Sequence, residues 1–177
     1  MTSPAGERVW WALARRRVTL GFVVAAVVLV AAAPTWQTWQ AGLIVALAGE
    51  AIRVWAAGHL EKGREVTRSG PYRWTRHPLY VGSAVIALGV ALASNSVIVA
   101  TLAVAYVVVT IGAAIRYEER YLREMHGDAY ERYRRSEAEP MARRFSAARA
   151  ARNREFLTVL GLAGGFGLLA LKVWLSL

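Results

Sequence analysis

The stretch GPYRWTRHPLYVG, residues 70–82, concentrates side chains that can bind an anion. Arg76 and His77 directly precede Pro78, and proline suits the first turn of a helix, where a missing N–H costs nothing. The free backbone N–H groups at such a helix start carry a partial positive charge. The stretch therefore predicts an anion-binding mouth, with the aromatic ring and hydroxyl group of Tyr80 beside it.

A second cluster, RYEERYLREMHGDAYERY at residues 116–133, contains acidic residues at the end of an apolar run. The run begins near Val97 and, as a helix, rises about 31 Å before Glu118 and Glu119. That rise equals the thickness of a bilayer core, so we expect the two carboxylates level with the anion-binding mouth. A site with the basic residues Arg76 and His77 on one side and the acidic residues Glu118 and Glu119 on the other suits a zwitterionic ligand. Such a ligand has a carboxylate at one end and ammonium or hydroxyl groups at the other.

Each cluster taken alone is also typical of an ordinary membrane boundary. Tyr, Trp, Arg and His are common there, and Glu119 with Arg123 has the spacing of an i,i+4 ion pair on a helix surface. A metal site is not expected, because the chain has no cysteine and its three histidines lack a two-ligand spacing. The sequence also has no G-x-S-x-G, P-loop or G-x-G-x-x-G motif.

The elements that must position these clusters are apolar helices. The chain is 56% hydrophobic and 19% charged, and a membrane span needs about 20 apolar residues. We predict an all-α, polytopic integral membrane protein that forms a single domain over residues 1–177. Its five predicted transmembrane helices cover residues 18–33, 35–58, 79–94, 97–117 and 156–177.

The distribution of basic residues predicts the orientation of the chain. All Lys and Arg residues except Arg53 and Lys172 fall in residues 1–17, 59–78 and 116–155. By the positive-inside rule these regions face the cytoplasm, which places the N-terminus inside and the C-terminus outside the inner membrane. The same rule explains the net charge of +10, so nucleic acid is not an expected partner.

The N-terminal region predicts a membrane anchor. Trp10 and Trp11 with the following arginines suggest an interfacial helix. The run at 18–33 has features of a signal peptide, but Pro34 is a poor cleavage context, so we expect a retained helix.

Three further features have open interpretations. Glu50 and Arg53, three residues apart within a span, form either a structural ion pair or the polar wall of a buried site. Gly161 and Gly165 in the last span allow close helix packing, within the chain or in a homo-oligomer. Residues 136–155 are interpreted as a basic helical connector on the lipid surface or as a solvated linker.

The sequence SGPYRWTRHPLYVG with RYEERYLREMHGDAYERY downstream resembles the isoprenylcysteine carboxyl methyltransferase family, whose superfamily includes the phospholipid N-methyltransferases. The resemblance runs from Glu50 to Tyr133. It implies an integral membrane enzyme that binds S-adenosylmethionine at the cytoplasmic side, between residues 59–82 and 116–135, and releases S-adenosylhomocysteine. The residues that it places at the cofactor are Tyr72, Arg76, His77, Pro78, Tyr80, Gly82, Glu118 and Glu119.

The methyl acceptor implied by the resemblance is lipophilic, such as the carboxylate of an isoprenylcysteine-like or other lipid-like molecule. A carboxylate needs no general base, whereas an amine or hydroxyl acceptor must lose a proton, for which Glu119 is the candidate. Arg116 is the candidate for holding an acidic acceptor. The chain departs from the family pattern at His126, where an aromatic residue is usual, and again after Tyr133. Both departures fall near the place where the resemblance puts the acceptor, so they affect the identity of the acceptor rather than that of the cofactor.

Two other functions remain open from the sequence. Membrane reductases of the sterol-reductase type, which use NADPH, resemble this family around a similar R-H-x-x-Y-x-G element. A non-catalytic membrane module is the other alternative. S-adenosylhomocysteine should stabilise a methyltransferase, NADPH a reductase, and neither ligand a scaffold.

Overall fold

The computed structural model describes residues 26–176, and this range contains helices and irregular segments but no strand. The predicted all-helical fold is therefore confirmed for this part of the chain. Residues 26–31 are helical. The elements that follow are α1 (Trp36–Ala57), a 3₁₀ turn (Gly70–Arg73), α2 (Pro78–Ser94), α3 (Val97–Arg134), α4 (Ala147–Arg152) and α5 (Phe156–Leu175).

Helices α1, α3 and α5 are long and apolar enough to cross a membrane. Helix α2 is apolar but has 17 residues, a rise of about 25 Å, and is shorter than a standard span. Half of the predicted 18–33 span and the whole interfacial helix lie outside the described residues, so the count of five spans stays a prediction. The outer faces of the helices expose large apolar side chains, as contact with lipid requires: Ile44, Leu47, Val97, Ile98, Val104, Val108, Leu160 and Leu168.

Helices α1 and α2 run antiparallel and touch through glycines. Gly42 faces Gly89, and Gly49 faces Gly82. A Cβ atom on either Gly49 or Gly82 would lie 2.7 Å from the carbonyl oxygen of the other. Small residues permit this close approach, which gives van der Waals contact where lipid provides no hydrophobic driving force between helices.

Helix α5 packs beside α1 and the 26–31 helical stretch. The contacts between them account for Lys172, one of the two basic residues inside the apolar runs. Its Nζ donates hydrogen bonds to the carbonyl oxygens of Leu29 (2.8 Å) and Val30 (3.0 Å). These carbonyls lie at the end of a helix, where the last four lack partners within the helix and favour a cation. Lys172 therefore acts as a C-terminal cap contributed by another helix.

Helix α3 continues far beyond residue 117, the predicted end of its span. Its 38 residues correspond to about 57 Å, so close to half of the helix extends past a bilayer core. Gly127 interrupts the helix with φ 44° and ψ −118°, a conformation that glycine adopts without a Cβ penalty. The turn redirects the last residues of α3 toward the 70–77 loop.

The prediction of a helical connector over residues 136–155 is wrong, because only Ala147–Arg152 is helical. The rest of the segment follows the loop after α1, where the backbone N–H of Met141 donates to the carbonyl of Arg68 at 3.3 Å. Arg149 donates to the Glu61 carboxylate and to the Gly58 carbonyl. Tertiary contacts thus replace both predicted alternatives, a helix on the lipid surface and a solvated linker.

Candidate functional site

The predicted basic and acidic residues of the site meet at a single carboxylate, that of Glu119. His77 is the N-cap of α2, with Pro78 in the first position of the helix. Across the gap, Oε1 of Glu119 lies 3.2 Å from Nε2 of His77 and 3.3 Å from NH1 of Arg76. The proline at the helix start fixes the cap residue, and the length of α3 brings Glu119 to the same level.

His77 retains hydrogen-bonding capacity beyond this contact. Its side chain is 13% exposed, and its Nδ1 is buried with no partner among residues 26–176. An imidazole that donates from Nε2 to a carboxylate presents Nδ1 as an acceptor when neutral and as a donor when charged. The Tyr80 ring lies 5.8 Å away, centroid to centroid, and forms one wall beside the imidazole.

Two tyrosines that were not predicted as site residues complete the cluster. The turn at Gly127 directs Tyr130 and Tyr133 inward, and both belong to the G-x-x-Y-x-x-Y pattern visible in the sequence. Tyr133 donates its hydroxyl hydrogen to the carbonyl oxygen of Tyr72 at 2.7 Å, and burial raises the pKa of Tyr133 to about 12. Desolvation also raises the pKa of Tyr72, with a smaller contribution from the charge of Glu118.

Tyr130 is fully buried, and its hydroxyl has no partner of hydrogen-bonding geometry within residues 26–176. Burial raises the pKa of Tyr130, and the nearby charge of Glu119 raises it further. The hydroxyl thus lies close to Glu119 without a hydrogen bond of standard geometry to it. At neutral pH it is a neutral donor beside the carboxylate.

A polar pocket opens next to this cluster, between the 68–76 loop and the segment after α3. It has a volume of about 250 Å³ and adjoins a second cavity of about 230 Å³, with which it shares Tyr72, Arg73, Tyr133 and Ser136. We call the two cavities together the arginine pocket. Its basic lining residues are Arg68, Arg73, Arg76 and Arg134.

The other predicted residues have mixed positions. Pro78 is buried at the start of α2. What approaches the backbone of Gly82 is α1, since a Cβ there would lie 2.5 Å from Cγ of Arg53, so helix packing explains this glycine. Glu118 is partly buried, and Arg116 is exposed three residues before Glu119. The roles of these residues toward a ligand remain predictions.

Arg53 occupies the junction of three helices beneath the site. Its Nε lies 2.7 Å from Oε1 of Glu155 at the start of α5 and 3.9 Å from Oε2 of Glu50. The same guanidinium donates to the Leu79 carbonyl and the Ser83 hydroxyl of α2. These contacts favour the structural interpretation of Arg53, with Glu155 rather than Glu50 as its closest acidic partner.

The fold and the site define a class: a helical membrane protein whose charged cluster lies where its apolar helices end. The sequence model of the phospholipid methyltransferase family matches residues 25–129, more than half of the chain. The protein belongs to this family, which confirms the resemblance found in the sequence and indicates a membrane methyltransferase. No curated protein and no solved structure matches the chain significantly.

Proposed function

We propose that the protein transfers a methyl group from S-adenosylmethionine to a lipophilic acceptor at the cytoplasmic surface of the inner membrane. Membership of the methyltransferase family gives the reaction class. The observation that carries the proposal is the contact of Glu119 with both Arg76 and His77 at the start of α2. This contact brings the 70–82 stretch and the 116–133 stretch, which carry the family resemblance, together in one site.

The residues present fit the proposed cofactor. S-adenosylmethionine bears a carboxylate, an ammonium group and ribose hydroxyls, and the cluster offers a guanidinium, a carboxylate and unused polar atoms for them. Two of these atoms are Nδ1 of His77 and the hydroxyl of Tyr130, both buried without a partner in the described part of the chain. Leaving such atoms unsatisfied costs about 1–3 kcal/mol each, which a bound ligand would offset.

When bound, the cofactor supplies an activated methyl group together with its own leaving group. The residues of the chain therefore mainly bind and orient the reactants. Arg76 would hold the carboxylate, and Glu119 with Glu118 the ammonium or ribose end. For an amine or hydroxyl acceptor Glu119 would also take the proton, whereas a carboxylate of the isoprenylcysteine type needs none removed.

The remaining predicted contacts have supporting roles in this proposal. The rings of Tyr72 and Tyr80 would line the cofactor site, while Pro78 and Gly82 fix the start of α2 against α1. Arg116 stays the sequence-based candidate for an acidic acceptor. The apolar tail of the acceptor would enter from the bilayer between helices.

The test is a titration of purified protein with S-adenosylhomocysteine. We expect binding by the wild type and a loss of about ten- to a hundredfold in affinity for Arg76→Ala and His77→Ala, because each removes a charge-assisted contact. Arg132→Ala is the matched control, since Arg132 is exposed on the same helix as Glu119. Unchanged affinity in both site variants would contradict the proposed cofactor site.

A parallel titration with NADPH separates the alternatives. Binding of NADPH without S-adenosylhomocysteine would indicate a reductase, and binding of neither a non-catalytic module. Transfer of labelled methyl from S-adenosylmethionine into a total lipid and small-molecule extract would then identify the acceptor.

A further inference from the structure

The arginine pocket carries more positive charge than its surroundings neutralise. Four arginines line it, and its lining includes no Asp or Glu. Two of them each have an acidic partner outside the pocket: Arg76 pairs with Glu119, and Arg134 lies 2.9 Å from Glu131. The other two provide the surplus charge.

Arg68 and Arg73 have no acidic partner within residues 26–176. Nε of Arg68 is buried with no hydrogen-bond partner in this range. Leaving this buried donor without an acceptor is costly. Arg68 and Arg73 line the same cavity, so an anion held there would lie beside both residues.

We propose that the arginine pocket binds the oxyanion of the methyl acceptor, a phosphate or a carboxylate, with Arg68 and Arg73 as its charged ligands. This inference rests on the proposed function, since it names the part of the substrate that the enzyme recognises. Guanidinium groups suit both anions because their planar fork can donate two parallel hydrogen bonds. Ser136 adds a hydroxyl donor to the lining.

The location of the pocket fits a polar group attached to an apolar tail. Its larger cavity, about 250 Å³, takes a head group and leaves a long hydrocarbon chain outside. It lies at the end of the apolar helices, where the head groups of a bilayer meet water. Arg76 belongs to both the pocket and the Glu119 cluster, so an anion bound here lies beside the proposed cofactor site.

The pocket changes the assignment of specificity. From the sequence we expected Arg116 to hold an acidic acceptor, but Arg116 is not among the residues that line the pocket. We assign that role to Arg68 and Arg73 instead. Selectivity then depends on an anionic group, which is the methylated group itself in a carboxylate acceptor and a neighbouring group in a phosphate-bearing one.

The experiment measures binding of lipid anions to the full chain in a maltoside detergent, which carries neither phosphate nor carboxylate. The probes are dihexanoyl phosphatidic acid, N-acetyl-S-farnesylcysteine and inorganic phosphate. The variants are Arg73→Gln and, as a matched control outside the pocket, Arg132→Gln, both at exposed positions where folding is not at risk. Affinity for S-adenosylhomocysteine is measured on the same preparations.

We expect at least one of the two lipid anions to bind the wild type more tightly than inorganic phosphate does. Arg73→Gln should weaken that binding about ten- to a hundredfold, while Arg132→Gln should not change it. The affinity for S-adenosylhomocysteine should be the same in all three proteins. Phosphatidic acid and the farnesylated carboxylate compete for one site, so their ranking identifies which anion the acceptor carries.

Three results would overturn the inference: no binding of either lipid anion, equal binding by Arg73→Gln and wild type, or inorganic phosphate binding as tightly as the lipids. None of them affects the cofactor proposal. If the wild type instead fails to bind S-adenosylhomocysteine while Arg73→Gln loses lipid binding, the proposed function fails and the anion site stands.

Discussion

Glu119 holds the two parts of the candidate site together. It faces His77 and Arg76, which lie 42 and 43 residues earlier in the chain. Its side chain is 23% exposed, so the contacts are only partly screened by water. A carboxylate in such a position contributes more to ligand binding than an exposed surface charge does.

Glu119→Gln tests this difference at the residue scale. We expect the affinity for S-adenosylhomocysteine and the turnover to fall about ten- to a hundredfold, since a charge-assisted hydrogen bond contributes about 1.5–3 kcal/mol. Glu118→Gln, one position earlier, should show at most the same loss.

Glu124→Gln is the control for that experiment. Glu124 lies on the same helix, pairs with Arg120 at 3.3 Å, and its side chain is 67% exposed. Exposed pairs contribute about 0–1 kcal/mol, so its loss should change affinity little. Equal, small effects at Glu118, Glu119 and Glu124 would mean that the acidic side of the cluster is ordinary surface.

The spacing of Glu119 and Arg123 suggests an i,i+4 ion pair, but each of these residues pairs with a different partner. Arg123 lies 2.8 Å from Glu131, on the far side of the turn at Gly127. That bond, the largest cause, lowers the pKa of Glu131. Spacing along a helix assumes that the helix continues straight, and the turn at Gly127 removes that condition.

At the scale of elements, the turn at Gly127 directs Tyr130 and Tyr133 toward the 70–77 loop. Gly127→Ala should straighten or strain α3, with a cost of about 1–3 kcal/mol for a non-glycine residue at positive φ. No atom of residues 26–176 lies within 4 Å of an added Cβ, so backbone strain, rather than a clash, is the cause. We expect lower thermal stability and weaker binding of S-adenosylhomocysteine.

Gly112→Ala provides the comparison within the same helix. An added Cβ on Gly112 also has no neighbour within 4 Å in the described part of the chain, but Gly112 is helical. Alanine there should leave binding unchanged and stabilise the helix by about 0.5–1 kcal/mol. If both variants behave alike, the turn does not position the site.

The segment 141–155 is attached to the loop after α1 by ion pairs. Arg149 Nε lies 2.7 Å from Glu61, and this hydrogen bond, the largest cause, lowers the pKa of Glu61. Arg143 lies 2.6 Å from Glu65. The attachment therefore depends on carboxylates being ionised.

Acid should weaken this attachment. Because the pKa of Glu61 is lower in the folded state than its ordinary value of 4.5, its stabilisation is present above pH 4.5 and lost as pH falls through the folded value. We expect the thermal stability of the wild type to fall more steeply below pH 5 than that of Glu61→Gln. Glu137→Gln, at an exposed position, should follow the wild type. Parallel curves for all three proteins would exclude the contribution of Glu61.

At the scale of the whole molecule, the two ends of the helix bundle differ in chemistry. At one end the connections before α1 and after α2 meet, with the Ala33 N–H donating to the Ser94 carbonyl at 2.8 Å. The basic loops and the Glu119 cluster lie at the other end. The orientation that assigns the basic end to the cytoplasm stays a prediction.

Cysteine labelling tests the orientation without background, because the chain contains no cysteine. Gln37→Cys, in the first turn of α1, and Lys62→Cys, in the loop after its other end, lie at exposed positions. In intact cells an impermeant maleimide should label Gln37→Cys and spare Lys62→Cys. A reporter fused after Leu177 should read as external. Labelling of both cysteines from the same side, or a cytoplasmic reporter, would contradict the five-span arrangement.

The glycines of α5 bear on assembly. Within residues 26–176, no atom lies within 4 Å of a Cβ built on Gly161, Gly164, Gly165 or Gly167. Packing against the described helices therefore does not explain them. A homo-oligomer through α5 remains a prediction.

The sequence by itself determined that the chain is helical and that the two motifs lie at one level. Apolar length sets where a helix can cross a bilayer, and local signals such as Pro78 set where it starts, so α2 begins within one residue of the predicted position. The equal depth of His77 and Glu119 follows from the rise per residue. The start and the length of a helix depend on residues that are neighbours in the chain, so both can be read from the sequence.

Only the tertiary structure decided which side chains meet. Glu155 as the partner of Arg53, Tyr133 bonded to Tyr72, and the docking of Arg149 on Glu61 each join residues more than 60 positions apart. Such pairs depend on the rotation of each helix about its axis and on the turn at Gly127. A charge pattern has many combinations of partners, and close packing of the helices selects one, because each buried polar group must find an acceptor or donor within reach.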